Sequence, residues 1–325
     1  MSAADAGRPA MRPFAATPWR DASRPRTAPP TAVALGNFDG VHLGHRHLFD
    51  TMRAAARDEN LDVVALTFEP HPRQFLFPDA ATSLLTPPRE KVETLAALGV
   101  EVVTLRFDAD LASLPAEAFA REVLLDRLRG ARFFLGPDHR FGQGGRGDAT
   151  LLRSLAGGQD RVVEAAPVVD QGEIVSSSAI RHHLKEGRVD RANGMLGYRY
   201  RLRGDVVRGS GRGGPLGFPT ANLRPEDARK MLPFGVFGGV AGFDGLRLPA
   251  VANIGLRPTF GETAPSVEIH VLDWNGDLYG KPFEFEIHRF LRGERKFTSV
   301  EALREQIAAD IENWRSHSGR AESET

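Results

Sequence analysis

The feature that most narrows the possible folds is a change of period near Gly197. Before it, short β-branched runs alternate with amphipathic helical stretches; after it come short apolar–polar alternations broken by glycine. The first pattern reads as parallel α/β units, because parallel neighbours need a crossover, usually a helix. The second reads as a small antiparallel barrel. Strands are predicted at 32–36, Asp62–Phe68, Val100–Phe107, Ala131–Leu135 and Val162–Val169. Between them one helix presents Leu48, Phe49, Met52, Ala55 and Ala56 on a single face. A second opens at Thr86-Pro87-Pro88 and closes at Gly99, a third occupies 115–129, and SSSAIRHHL begins a short one that stops at Gly187. In the β-rich half, Asn275-Gly276 predicts a hairpin turn between SVEIHVLDW and KPFEFEIHRF. A last helix, capped by Thr298 with Glu301 three residues on, is expected to bury Val300, Leu303, Ile307, Ile311 and Trp314.

These patterns divide the chain into a flexible tail over 1–29, an α/β domain over 30–187, a linker over 188–198 (RVDRANGMLGY), a β-domain over 199–315 and a tail over 316–325. The 325 residues, 41% of them hydrophobic, suffice for two cores. Lys plus Arg and Asp plus Glu balance at 42 each, so no net field favours nucleic acid or an anionic membrane. The absence of cysteine excludes disulfides and thiolate chemistry and fits a reducing cytoplasm; any metal must use oxygen or imidazole ligands. The first thirty residues lack the continuous apolar run of a signal peptide or membrane anchor, and their six prolines disfavour an amphipathic presequence helix.

Ten residues, Gly36 to His45, read GNFDGVHLGH and hold two of the ten histidines, with His47 just beyond. Gly36 and Gly40 permit a tight turn, and His42 and His45, three apart, share one face of the helical turn that follows. A helix start carries free N–H groups and partial positive charge, and imidazoles there can donate to phosphate oxygens. The plainer alternative makes Asp39 a turn residue and the histidines a solvated face. Two GxGxxG matches, Gly142-Gly144-Gly147 and Gly209-Gly211-Gly214, are poor dinucleotide loops. Polar PDHRF separates the first from its strand, and the second leads into the non-helical PLGFPTANL. No Walker A loop is present.

GNFDGVHLGH resembles the adenylyltransferase signature of the bacterial bifunctional riboflavin kinase/FAD synthetase family. The similarity continues in order through TFEPHP (67–72), LLTPPREK (84–91), GPDHRFG (136–142), SSSAIR (176–181), GFPTANL (217–223), ANIGLRPTFG (252–261) and VEIHVLD (267–273). The resemblance implies an N-terminal Rossmann-like nucleotidyltransferase domain with an HxGH motif and a C-terminal riboflavin kinase barrel ending in a helix. It implies ATP-dependent phosphorylation of riboflavin to FMN, then adenylylation of FMN to FAD, with Mg²⁺ at both sites.

For the first domain it implies that Gly36, Phe38, Asp39, His42 and His45 meet ATP and that Ser177, Ser178 and Arg181 help. The flavin would meet Phe68, His71, Asp138 and Arg140. Taken alone, Phe68 reads as a core residue equally well, and Arg181 reads as a helix-surface arginine. For the barrel it implies Gly211 and Arg212 in a flap over ATP, Thr220 and Asn222 on ATP and the metal, Glu268 as catalytic base, and Arg292 and Phe297 near the flavin. If Val267 and Ile269 pack outward or into a minor core, Glu268 faces the other side with His270. The sequence departs from the family pattern at Pro137, His139, Gly214 and Phe237. Rival readings are an enzyme with one decayed domain and a flavin-binding sensor without turnover. No nucleic-acid or membrane partner is expected, and the chain is expected to be a monomer or weak homo-oligomer.

Overall fold

The computed structural model describes residues 16–80, 83–209, 217–259 and 262–321. β1 (Thr31–Leu35) is buried along its whole length, as a central parallel strand covered on both faces must be. Its alternation decides what packs where. Val33 and Leu35 enter one core with Leu66, Leu105, Phe119 and Phe133, whereas Ala32 and Ala34 face another with Phe49, Met52 and Phe134. The small alanines let α1 (Leu43–Glu59) lie close through Leu48, Phe49, Met52 and Ala56.

The chain continues through β2 (Asp62–Glu69), α2 (Pro72–Leu76), α3 (Pro88–Ala97), β3 (Glu101–Arg106), α4 (Ala109–Ala112) and α5 (Ala116–Ala118). α5 runs into a π-helical stretch, Phe119–Arg127, in the region predicted as one helix. β4 (Gly130–Leu135), α6 (Ala149–Ala156) and β5 (Val162–Glu164) complete a parallel sheet in the order β3-β2-β1-β4-β5. The order reverses between β1 and β4, so their carboxyl-end loops diverge and leave a crevice. The strand predicted over Val162–Val169 stops at Glu164; a small hairpin of β6 (Val169–Asp170) and β7 (Glu173–Ile174) follows.

The chain separates into two compact units between Ile174 and Val175. Residues 16–29, expected in a flexible tail, instead pack on the first unit. Thr17 bridges Leu105, and Trp19, only 4% exposed, donates from Nε1 to Asp110 at 2.7 Å. Residues 1–15 lie outside the described residues.

The second unit begins with α7 (Ser177–Lys185) and α8 (Val189–Leu196). The predicted linker is therefore mostly helix, and it is tied to the barrel by Asn193. The Asn193 side chain donates to Ile287 O at 3.0 Å and accepts from Tyr200 N at 2.8 Å. β8 (Tyr200–Val207), β9 (Ala221–Pro225), β10 (Gly235–Phe243), β11 (Leu246–Thr259), β12 (Glu262–Val271) and β13 (Pro282–Arg292) close a barrel in the order β10-β11-β12-β9-β8-β13. Tyr200, Leu202, Phe237, Ile269, Phe285 and Ile287 are fully buried.

The hairpin predicted at Asn275-Gly276 is absent, because β12 pairs with β11 and β9 while β13 pairs with β10 and β8. The segment between them crosses the barrel end. The tight hairpin lies at Asp244-Gly245, both left-handed, between the paired Phe243 and Leu246. α9 (Val300–Ala321) extends into the predicted C-terminal tail. Its first turn is capped by Ser299 rather than Thr298, Ser299 Oγ accepting from Ala302 N at 3.1 Å. Trp314 is buried as predicted, whereas Val300 is 55% exposed.

Candidate functional site

In the first unit, the loop from Gly36 to His42 leaves β1 at the crevice. Phe38 and Val41 both have positive φ, 50° and 36°, a costly conformation for a β-branched valine. Two ties hold it. Asp39, 4% exposed, accepts from Leu85 N and Thr86 N, each at 2.9 Å, while Gly40 N donates to Thr86 Oγ1 at 2.8 Å. From below, Lys91 Nζ donates to Asn37 O at 3.1 Å and Thr67 Oγ1 at 2.9 Å.

His42 occupies the cap position of α1, and its ring stacks on His45 with centroids 3.6 Å apart. Phe38 meets the His45 ring edge-on at 5.3 Å. Burial, then His42, then Lys91 hold the His45 imidazole well below the ordinary histidine range. It is therefore neutral near pH 7 and carries one N–H. The sequence expectation of two histidines on one face holds, and the paired rings lie at a helix start.

At the carboxyl end of β2, Phe68 meets Phe107 edge-on at 5.8 Å, and Phe107 meets Phe75 at 5.6 Å. Phe75 is 39% exposed, so this aromatic surface reaches solvent. Sequence reasoning did not single out Phe75, although it sits in the apolar FLF run beside His71. His71 itself caps α2, its Nδ1 accepting from Arg73 N at 3.1 Å. Asp138 stands exposed in the loop after β4 with φ 54°, and Arg140 pairs with Asp148 at 3.1 Å. The Gly142–Gly147 match is explained by packing. A Cβ on Gly142 would lie 2.3 Å from Ala116 Cα and one on Gly147 2.4 Å from the Phe141 ring.

In the second unit, Ser176 Oγ caps α7 by accepting from Ala179 N at 3.2 Å, which places Ser177, Ser178 and Arg181 in its opening turns. On the barrel, register sets a polar row across three strands. Glu268 on β12 pairs with Asn222 on β9 and with Asn253 on β11. Val267 and Ile269 are buried, so the alternation turns Glu268 and His270 to the opposite face as the sequence predicted. There a cavity of about 310 Å³ is lined by Thr220, Glu268, His270, Arg292, Phe297 and Asp310 among others.

His270 Nδ1 lies 2.8 Å from Pro219 O and holds the segment before Thr220. Arg292 Nε donates to Asp310 Oδ2 at 2.9 Å, and its guanidinium lies 5.6 Å from the Phe297 ring centre. Leu303, Ile307 and Ile311 of α9 line this cavity. Thr220 also borders a second cavity of about 380 Å³ that includes Trp274, Leu278 and Tyr279 on the crossing segment. Gly211 and Arg212 lie outside the described residues.

Among the described residues no three His, Asp or Glu side chains cluster to hold a metal unaided. The Thr220 hydroxyl and Asn222 amide oxygen instead suit Mg²⁺, which takes few protein ligands and completes its shell with phosphates and water. The donor set fits that ion.

A family model described as FAD synthetase matches residues 24–179, and one described as riboflavin kinase matches residues 196–318. The bifunctional riboflavin kinase/FMN adenylyltransferase of Escherichia coli K12 is 38% identical over 86% of this chain and 90% of its own. The protein of that name from Bacillus subtilis is 34% identical over the same shares. A solved Streptococcus pneumoniae structure titled as a macrolide-efflux protein is 31% identical, covers 92% of this chain and 97% of its own, and superposes with a TM-score of 0.82. Among the described residues no helix is long and apolar enough to cross a membrane.

Proposed function

The chain belongs to the family of bifunctional riboflavin kinase/FMN adenylyltransferases, and on that premise we propose how its residues divide the two reactions. In the second unit the ribityl 5′-hydroxyl oxygen of riboflavin bonds to the γ-phosphorus of ATP, the bond to the β–γ bridging oxygen breaks, and FMN and ADP leave. Glu268 receives the hydroxyl proton. The cavity beside it takes the flavin, with Arg292 and Phe297 at its rim, and the cavity across Thr220 takes the nucleoside against Trp274 and Tyr279. Thr220 and Asn222 would hold Mg²⁺, which would supply neutralisation of phosphate charge. Gly211 and Arg212 are assigned to the ATP phosphates on the family resemblance.

In the first unit a phosphate oxygen of FMN bonds to the α-phosphorus of a second ATP, the α–β bridging oxygen departs, and FAD and pyrophosphate are formed. Positioning and charge stabilisation are the main requirements of such a transfer. His42 and His45 donate to the phosphates from the start of α1, with Gly36, Phe38 and Asp39 shaping the loop. Phe68, joined to Phe75 through Phe107, offers the flavin an aromatic face, and His71, Asp138 and Arg140 border it. On the family resemblance Ser177, Ser178 and Arg181, which open α7 in the second unit, are assigned to ATP.

The Asn222–Glu268–Asn253 row, of which Glu268 and Asn253 line a cavity of about 310 Å³ with Thr220, carries this assignment. The test supplies the purified chain with riboflavin, ATP and Mg²⁺ and separates FMN from FAD by chromatography. Glu268→Ala is expected to abolish FMN formation while still converting added FMN to FAD. The His42→Ala, His45→Ala double variant is expected to stop at FMN. Loss of both activities in a folded Glu268→Ala chain sinks the two-site assignment, and undiminished FAD synthesis by the double variant removes the histidines from the mechanism.

A further inference from the structure

The adenylyl-transfer reading leaves a buried charge without a role. Lys91 on α3 is 5% exposed, beneath the Gly36–His42 loop. Its ammonium, Thr67 Oγ1 and Asn37 O form a closed triangle, since Thr67 Oγ1 accepts from Lys91 at 2.9 Å and donates to Asn37 O at 3.2 Å. The triangle joins β2, α3 and the loop that carries two left-handed non-glycine residues. Asp39 makes the other tie to the same segment, at Leu85 and Thr86. One stretch of chain, residues 85–91, thus holds the strained loop from two sides.

A neutral donor could hold Asn37 O without the desolvation that burying an ammonium entails. The charge itself therefore calls for a reason, and its neighbours supply one. His42, from the cap of α1, and Lys91, from α3, are the titratable groups that act on His45. Asp39, buried in the same loop, accepts from Leu85 N and Thr86 N, and Phe38 meets the His45 ring edge-on. We propose that Lys91 is a positioning residue for adenylyl transfer: it fixes the loop through Asn37 and sets a permanent positive charge behind the stacked His42 and His45 rings, where the phosphates bind. The proposal rests on the assignment of His42 and His45 to ATP. A cation there adds favourable potential for the polyphosphate without touching it and opposes protonation of His45, so the ring keeps one tautomeric N–H to give.

The test uses the full chain and assays FMN adenylylation against pH, with riboflavin kinase activity as the control for folding. Lys91→Met leaves the Asn37 carbonyl without this donor and invites misfolding. Lys91→Gln removes the charge and keeps an N–H donor, on a side chain one bond shorter, so it carries the test. It is expected to lower the adenylylation kcat about 10- to 100-fold, to move the acid limb of the profile to higher pH, and to leave the kinase rate within about twofold. Lys91→Arg, which restores the cation, is expected to return the acid limb to its wild-type position and recover most of the rate. A wild-type rate in Lys91→Gln, or a lower rate with an unmoved acid limb, overturns the proposal. If Lys91→Gln fails to fold, the Lys91→Arg profile decides, and a shifted limb there overturns it. A His42→Ala, His45→Ala chain that still makes FAD would instead defeat the underlying site assignment.

Discussion

Asn222 is placed partly by what Gly209 lacks. A Cβ on Gly209 would stand 2.0 Å from Asn222 Nδ2, so the amide fits its strand position only against a glycine. Gly209→Ala is expected to turn the amide away and lower the riboflavin kinase rate about tenfold, with a stability change within about 0.5 kcal/mol. FMN adenylylation should be untouched. Paired rate assays with a thermal melt check this; a wild-type kinase rate would mean that the amide orientation does not matter. At this scale, alternation in SVEIHV was enough to turn Glu268 away from Val267 and Ile269. It could not show that the Asp39 carboxylate bonds backbone 46 residues away, because no local pattern encodes a partner at that separation. Lys91 and Phe75 were missed for the same reason.

Helix α8 shows how an element can be misread. RVDRANGMLGY has the glycine and mixed polarity of a linker, yet Val189, Ala192, Met195 and Leu196 are all fully buried. Their 3.6-residue spacing was legible, but eight residues are too few for such a helix to stand alone, so packing decides it. Asn193→Ala would leave Tyr200 N and Ile287 O buried without these partners. We expect a loss of about 2–4 kcal/mol, seen as a lower melting temperature of the second unit, with the kinase rate per folded molecule unchanged. An unchanged melt would mean that α8 does not anchor the barrel. The misplaced hairpin has a similar origin. Asn-Gly and Asp-Gly are comparable turn signals, and only closure of the barrel, which puts β9 and β8 between β12 and β13, chooses Asp244-Gly245.

The whole molecule carries its acid sensitivity unevenly. In the first unit burial holds His139 down at about 4, and burial with His42 and Lys91 holds His45 well below the ordinary 6.5. A depressed histidine favours the folded state fully above 6.5, and this advantage is lost as the unfolded chain takes up protons on the way down to the folded pKa. In the second unit Glu286 is held at about 2, first by the His288 ring 3.7 Å away, an ion-pair separation too long for a hydrogen bond. Burial opposes this, and direct contact with Arg247 reinforces it. That contribution is present above the ordinary carboxylate value of 4.5 and is lost only as pH falls toward 2. Between pH 6.5 and 4.5 the first unit should therefore weaken before the second. Calorimetry at pH 7 and 5 should show a larger fall in the transition that accompanies loss of adenylylation; equal shifts of both transitions would contradict it.

By itself the sequence determined the two fold classes, the order of most strands and helices, the pairing of His42 with His45 on one face, and the facing of Glu268. These follow from spacings of one to four residues, which backbone periodicity translates directly into direction. Only the tertiary structure decided that residues 16–29 pack, that 189–196 is helix, and that β12 and β13 are separated. It also set Asn222, Glu268 and Asn253 in one row and Lys91 beneath the histidines. Those facts depend on which distant surfaces bury each other and which buried polar groups find partners, and such choices are made when the chain closes on itself.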